Sequence, residues 1–141
     1  MKEPVRIQKE NFSVEEEVEA IKRTSKRIGA VVTFLGVARD FSKGHTIEAL
    51  EFEQYEQMAL KALRKLREDT LERFDIIDVR IVHRVARIPA GENIVLIVVA
   101  SEHRKEAFSA CSWCIDTLKK TVPLWKKEIT PEGESWVEPH P

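Results

Sequence analysis

The sequence predicts an α+β fold, with helices packed on a mostly antiparallel sheet. Three observations carry that expectation. Stretches with apolar residues at helical spacing alternate with pairs of short, β-branched runs. Strand–helix–strand crossovers are too few for a doubly wound fold. Neither GxGxxG nor GxxxxGK followed by Ser or Thr occurs, so no nucleotide-phosphate loop is expected.

Each element has a local reason. Ser13 is a helix N-cap candidate with Glu16 three residues on, the spacing of a capping box, and the helix is expected over 14–26, stopping near Ile28-Gly29. "AVVTFLGVAR" reads as a buried strand and "DFSKGH" as a polar loop. "TIEALEFEQY" alternates Ile47, Leu50, Phe52 and Tyr55 with glutamates, as a half-exposed strand does. Residues 56–74 form the clearest helix, with Met58, Ala59, Ala62, Leu63, Leu66 and Leu71 mainly on one face. Strands follow at 76–88 and 93–101 around the turn "PAGE". The last helix covers 103–122, with Ser101 as candidate cap and Pro123 as its stop. "LWKKEIT", a "PEGE" turn and "SWVE" complete a hairpin.

Length and composition narrow the function. The 141 residues suit one domain, 1–141, and 43% hydrophobic with 33% charged residues is a globular composition. A net charge of −1 and 7% aromatics argue against a general or single-stranded nucleic-acid surface. No run is long and apolar enough to span a membrane, and "MKEPVRIQKENF" lacks the apolar core of a secretory signal. Two cysteines are too few for a disulfide framework and fit a reducing cytoplasm.

Several residue groups have chemical potential. Cys111 and Cys114 have CxxC spacing, but they fall within a helix on an apolar stripe, so core packing is the better reading. No second CxxC or HxxxH pair completes a metal site. His83-Arg84 lies inside an apolar strand and reads as structural. His103 and Arg104 start a helix, where backbone N–H groups favour anions, although alone they read as a solvated first turn. Arg39 leaves a strand after Phe34 and Gly36, and reads equally as an anion ligand or as a surface partner of Asp40. In "KKTVPLWKKE", Pro123 folds the chain back so that Lys126 returns towards Lys119. Trp125 and Lys126 must face opposite sides of their strand. Clustered ammonium groups depress each other's pKa and suit an anionic substrate or proton transfer. Taken alone, the stretch reads better as a solvated cationic hairpin.

Six strings in order, "GAVVTFLGVARD", "LEFEQYEQMA", "VHRVARIPAGE", "SEHRKEAFSA", "LKKTVPLWKKE" and "PEGESWVE", resemble the large, catalytic subunit of molybdopterin synthase over nearly the whole chain. The resemblance implies an α/β hammerhead domain with an added antiparallel β subdomain. It implies conversion of cyclic pyranopterin monophosphate (precursor Z) to molybdopterin by insertion of two dithiolene sulfurs. The sulfur would come from the thiocarboxylated Gly-Gly C-terminus of a small ubiquitin-like partner. The implied assembly is a heterotetramer around a homodimer of the large subunit, with no resident cofactor or metal. Lys119 and Lys126 match the family's active-site lysines, and Arg39, His103 and Arg104 its anion-binding residues. Lys127 and Glu128 continue the substrate stretch, and Phe34 and Ile115 line the pocket. Val37 and Ala38 occupy a substrate-side pair that includes a lysine in some relatives, and His140 stands nearest an arginine that relatives often carry.

Arg104 and Lys119 are fifteen positions apart on one helix, about 22 Å at 1.5 Å per residue. If both serve one substrate, they must come from different chains of a two-fold dimer. A second reading is a non-catalytic docking module for a ubiquitin-like tail, which would bind the partner without turnover.

Overall fold

The computed structural model describes residues 2–54 and 56–137, so Tyr55 and His140 lie outside the described residues. Its order is β1 (Val5–Gln8), α1 (Val14–Lys22), β2 (Ala30–Val37), β3 (Phe41–Ser42), β4 (His45–Thr46), β5 (Ala49–Gln54), α2 (Glu56–Arg73), β6 (Asp78–Arg84), β7 (Arg87–Pro89), β8 (Asn93–Ser101), α3 (Arg104–Thr121), β9 (Leu124–Thr130) and β10 (Gly133–Trp136). One four-stranded sheet has the order β1-β6-β8-β2, a second has β10-β9-β5-β7, and β3-β4 form a separate hairpin. All pairings are antiparallel except β1 with β6, as the α+β expectation requires.

Strand β8 is the centre of the first sheet, and its alternation divides the core. Val95, Ile97 and Val99 face α2 and α3, meeting Leu63, Leu66, Ala110, Cys114 and Leu118. Leu96, Val98 and Ala100 face α1, meeting its Ile21 and, just ahead of the helix, Phe12. Each fully buried aliphatic side chain contributes about 1.5–3 kcal/mol relative to exposure. A third cluster, Ala38, Ile47, Leu50, Phe52, Val85 and Ile88, lies under the second sheet. Both cysteines are buried and free, and burial pushes their thiols up to about 11 (Cys111) and about 12 (Cys114), which makes them poor nucleophiles.

An ion triad ties α1 to the first sheet. Glu17 bonds Arg6 at 2.7 Å and Arg80 at 3.0 Å while only 2% exposed. Burial raises its pKa, but the two guanidinium groups more than reverse this, and the net shift is downwards. Glu17→Ala would leave two cations without their carboxylate and is expected to cost about 3–5 kcal/mol in denaturant unfolding.

The structure departs from several sequence expectations. Helix α1 ends at Lys22 rather than near Gly29; Thr24 turns its hydroxyl back to the Ile21 carbonyl at 2.7 Å, as a polar helix terminus does. β1 is an additional strand, too short for a periodic signal. The strand expected over 76–88 is two strands in different sheets, with the corner at Val85 and Ala86; Val85 N–H donates to Gln8 and Ala86 accepts from Phe52. β6 is buried throughout, whereas β7 buries only Ile88; mixed apolar and charged residues run through both, so no change of pattern marks the corner. The "DFSKGH" loop contains the β3–β4 hairpin, and Lys43 and Gly44 have positive φ, as a tight two-residue turn demands. Met58 is exposed rather than packed. Ser101 does not cap α3: His103 is the N-cap residue, without a side-chain cap bond, and Ser101 donates to its carbonyl. Ser13 does cap α1, accepting from Glu16 N–H at 3.2 Å, and Val122 before Pro123 is extended, ending α3.

Candidate active site around Lys126

The site lies where the end of α3, the exit of β2 and strand β9 meet. Lys126 is the cross-strand partner of Phe52, and Glu128 is the partner of Leu50. Partners in a ladder share a face, and Phe52 and Leu50 are buried. Lys126 and Glu128 therefore project from the inward face, whereas Trp125 and Lys127 project from the other. Trp125 is accordingly 38% exposed.

The Lys126 ammonium is disfavoured. Burial is the largest cause of its lowered pKa, Lys119 is the next, and Arg39 adds to both; Glu128 opposes them. These causes place Lys119, Arg39 and Glu128 in the field of one half-buried amine. The last turn of α3 supplies Lys119, and the chain leaving β2 supplies Arg39. His45 Nε2 of the β3–β4 hairpin stands 3.6 Å from Glu128, an ion pair when the imidazole is protonated. Two cations beside one half-buried amine, opposed by one carboxylate, give a locally positive field that suits an anion, with an amine able to exchange a proton.

Other expected residues divide by position. Phe34 and Ile115 are half-buried against the same core cluster, where α3 covers the first sheet. Gly36 has no room for a side chain: a Cβ would stand 2.7 Å from Val95, so glycine is what lets β2 pack at its exit. Ala38 is buried, its N–H donating to the Glu92 carbonyl and its carbonyl accepting from Gly91, while Val37 is exposed. Ala38, Arg39, Asp40, Phe41, Ala90 and Gly91 line an open depression beside the site. Lys127 is on the outer face, 4.6 Å from the Trp136 ring centroid and 3.8 Å from Glu134, so one chain does not bring it to Lys126. His103 and Arg104 are exposed at the far end of α3 from Lys119. Among the described residues, no cluster of three or more His, Cys, Asp or Glu can hold a metal, and no helix is long and apolar enough to cross a membrane.

His83 is a satisfied structural histidine, as its sequence context predicts: it is buried, with Nδ1 2.7 Å from the Arg84 carbonyl. Its nearness to Lys126 was not visible in the sequence, because β6 and β9 are joined only by the fold. Burial lowers its pKa from 6.5 to about 4, and the Lys126 charge adds to the shift. Between these values the unfolded chain binds a proton that the folded chain refuses, so stability falls as pH drops from 6.5 towards 4. At about 1.4 kcal/mol per pH unit, the expected loss is about 3 kcal/mol, measurable by urea unfolding across that window.

Fold and site together define an α+β protein with a half-buried lysine set among other charged side chains. The profile of the MoaE protein family matches residues 7–121. A molybdopterin synthase catalytic subunit from Pyrococcus abyssi is 44% identical over 129 residues, covering 92% of this chain and 86% of the relative. The crystal structure of a Staphylococcus aureus molybdopterin synthase superposes with a TM-score of 0.90 at 35% identity, over 98% of this chain and 99% of the other. A complex of subunits 1 and 2 of molybdopterin-converting factor from Helicobacter pylori contains the same fold, with a TM-score of 0.79 at 20% identity, over 99% of this chain and 94% of that one. The chain belongs to the MoaE protein family.

Proposed function

We infer that the chain is the catalytic subunit of a molybdopterin synthase. It converts cyclic pyranopterin monophosphate to molybdopterin with two sulfurs from the thiocarboxylated C-terminus of a small ubiquitin-like partner. The observation that carries this reading is the convergence of Lys119 and Arg39 on Lys126, whose amine is pushed towards its neutral form. The catalytic-subunit name of the Pyrococcus abyssi relative supports it.

The chemistry follows from charge. A thiocarboxylate and a phosphate repel each other in water, and a cationic, partly dry pocket reverses that repulsion. The thiocarboxylate sulfur attacks a pterin side-chain carbon, so that a carbon–sulfur bond forms as the carbon–oxygen bond there breaks; the departing oxygen keeps the bonding pair, and the partner is left attached as a thioester. Water then attacks the thioester carbonyl and releases the partner as a carboxylate. Lys119 stabilises the thiocarboxylate and the oxyanion formed at the carbonyl. Lys126 exchanges protons, with Glu128 and the Phe34 and Ile115 side chains bounding its pocket.

Arg39 holds the phosphate together with His103 and Arg104. Because His103 and Arg104 begin the helix that Lys119 ends, they are contributed by a second copy of the chain across a two-fold axis. The working assembly is a homodimer with a small subunit for each site, and its two free thiols suit the cytoplasm. The test is reconstitution: this protein, a thiocarboxylated ubiquitin-like partner and cyclic pyranopterin monophosphate should yield dithiolene. Partner binding without product would overturn the catalytic assignment and leave a docking module.

A further inference from the structure

The inward face of β9 continues into a buried aromatic pair. Phe52, the cross-strand partner of Lys126, meets the His83 ring edge-on, with centroids 5.2 Å apart and planes at 78°. His83 is 4% exposed and Phe52 is 8% exposed. The Arg84 carbonyl can only accept, so Nδ1 of His83 carries the proton and donates at 2.7 Å. That bond fixes the ring and leaves the Nε2 lone pair uncharged. Lys126 thus stands beside Phe52, Phe52 stands against His83, and the Lys126 charge is felt at the imidazole.

Resting on the function inferred above, we propose that His83 is a positioning residue for Lys126: its locked, neutral imidazole and the Phe52 ring form a dry floor that seats the amine and excludes water from beneath it. The charged groups around the amine are Lys119 from α3, Arg39 beyond β2 and Glu128 from β9. His83 is the contribution of β6, and its neutrality matters because an imidazolium would add a further cation to that set. A dry floor denies the ammonium its solvent, which favours the free amine that accepts a proton. His83 therefore tunes the reaction without touching substrate.

The test titrates the full-length protein carrying 13Cε-labelled lysine, with the Lys126 resonance assigned by its loss in Lys126→Gln. In the wild type, Lys126 should titrate below the other lysines. His83→Ala opens the floor to water, so the Lys126 midpoint should rise by about one pH unit. The acid limb of kcat/KM should rise with it, while partner affinity stays within about twofold. Should His83→Ala fail to fold, His83→Asn keeps a donor for the Arg84 carbonyl, vacates the far side of the ring and carries the same expectation. An unmoved Lys126 midpoint in a folded variant overturns the inference, even if turnover falls, because the role would then be structural only. The titration needs no substrate, so a shifted lysine in a protein without turnover upholds the inference and removes only the proposed reaction.

Discussion

Lys119→Ala is expected to slow dithiolene formation by about 10²–10³-fold, the usual scale for removing a group that stabilises developing charge in a dry site. The lysine is exposed at the end of α3, so its loss opens no cavity in the core. It also sits in the last helical turn, where a cation favours the macrodipole by about 0.3–1 kcal/mol. Thermal unfolding should therefore change little, and partner binding should persist. Single-turnover kinetics beside a melting curve separate the effects. A stable variant with near wild-type rate would remove Lys119 from the chemistry.

Lys126→Met should lower turnover by about 10²-fold, the scale of a lost general acid–base group, and yet raise stability. Folding places this ammonium where burial, Lys119 and Arg39 all oppose it. The folded pKa lies below the unfolded one, so the penalty is fully present below the folded pKa and fades as pH rises towards the unfolded value. At neutral pH, methionine keeps much of the apolar stem and removes the penalty, trading activity for stability. In the wild type, kcat/KM should rise with pH through a midpoint below the ordinary lysine range, because the free amine is the reactive form. A profile that instead falls with pH there would make Lys126 an acid; a destabilised Lys126→Met would show that the charge is not strained.

Local signals in the sequence had unequal reach. Ser13 with Glu16, the β-branched run of β8 and Pro123 after α3 each act over a few residues, and each produced the expected cap, strand or stop. The corner at Val85 and Ala86 was hidden because apolar and charged residues mix in the same way before and after it, with no Gly or Pro at the bend. The lysine pair was legible as a cation cluster, and alternation along β9 required Trp125 and Lys126 to part. Alternation alone did not say which faced inward; the pairing of Lys126 with Phe52 decided that. The approach of His45 to Glu128 and the packing of His83 on Phe52 join strands distant in sequence, and no local pattern encodes such contacts.

Subunit mixing decides whether the catalytic site is shared by two copies of the chain. Lys119→Ala and Arg104→Ala proteins would each be assayed alone, then unfolded together, refolded and assayed with the thiocarboxylated partner and the pterin. In a mixed dimer, one site carries both substitutions and the other carries neither. Random pairing should therefore restore about a quarter of wild-type activity from two nearly inactive parents. Activity that stays at the parents' average, in dimers shown to have exchanged, would contradict the shared site.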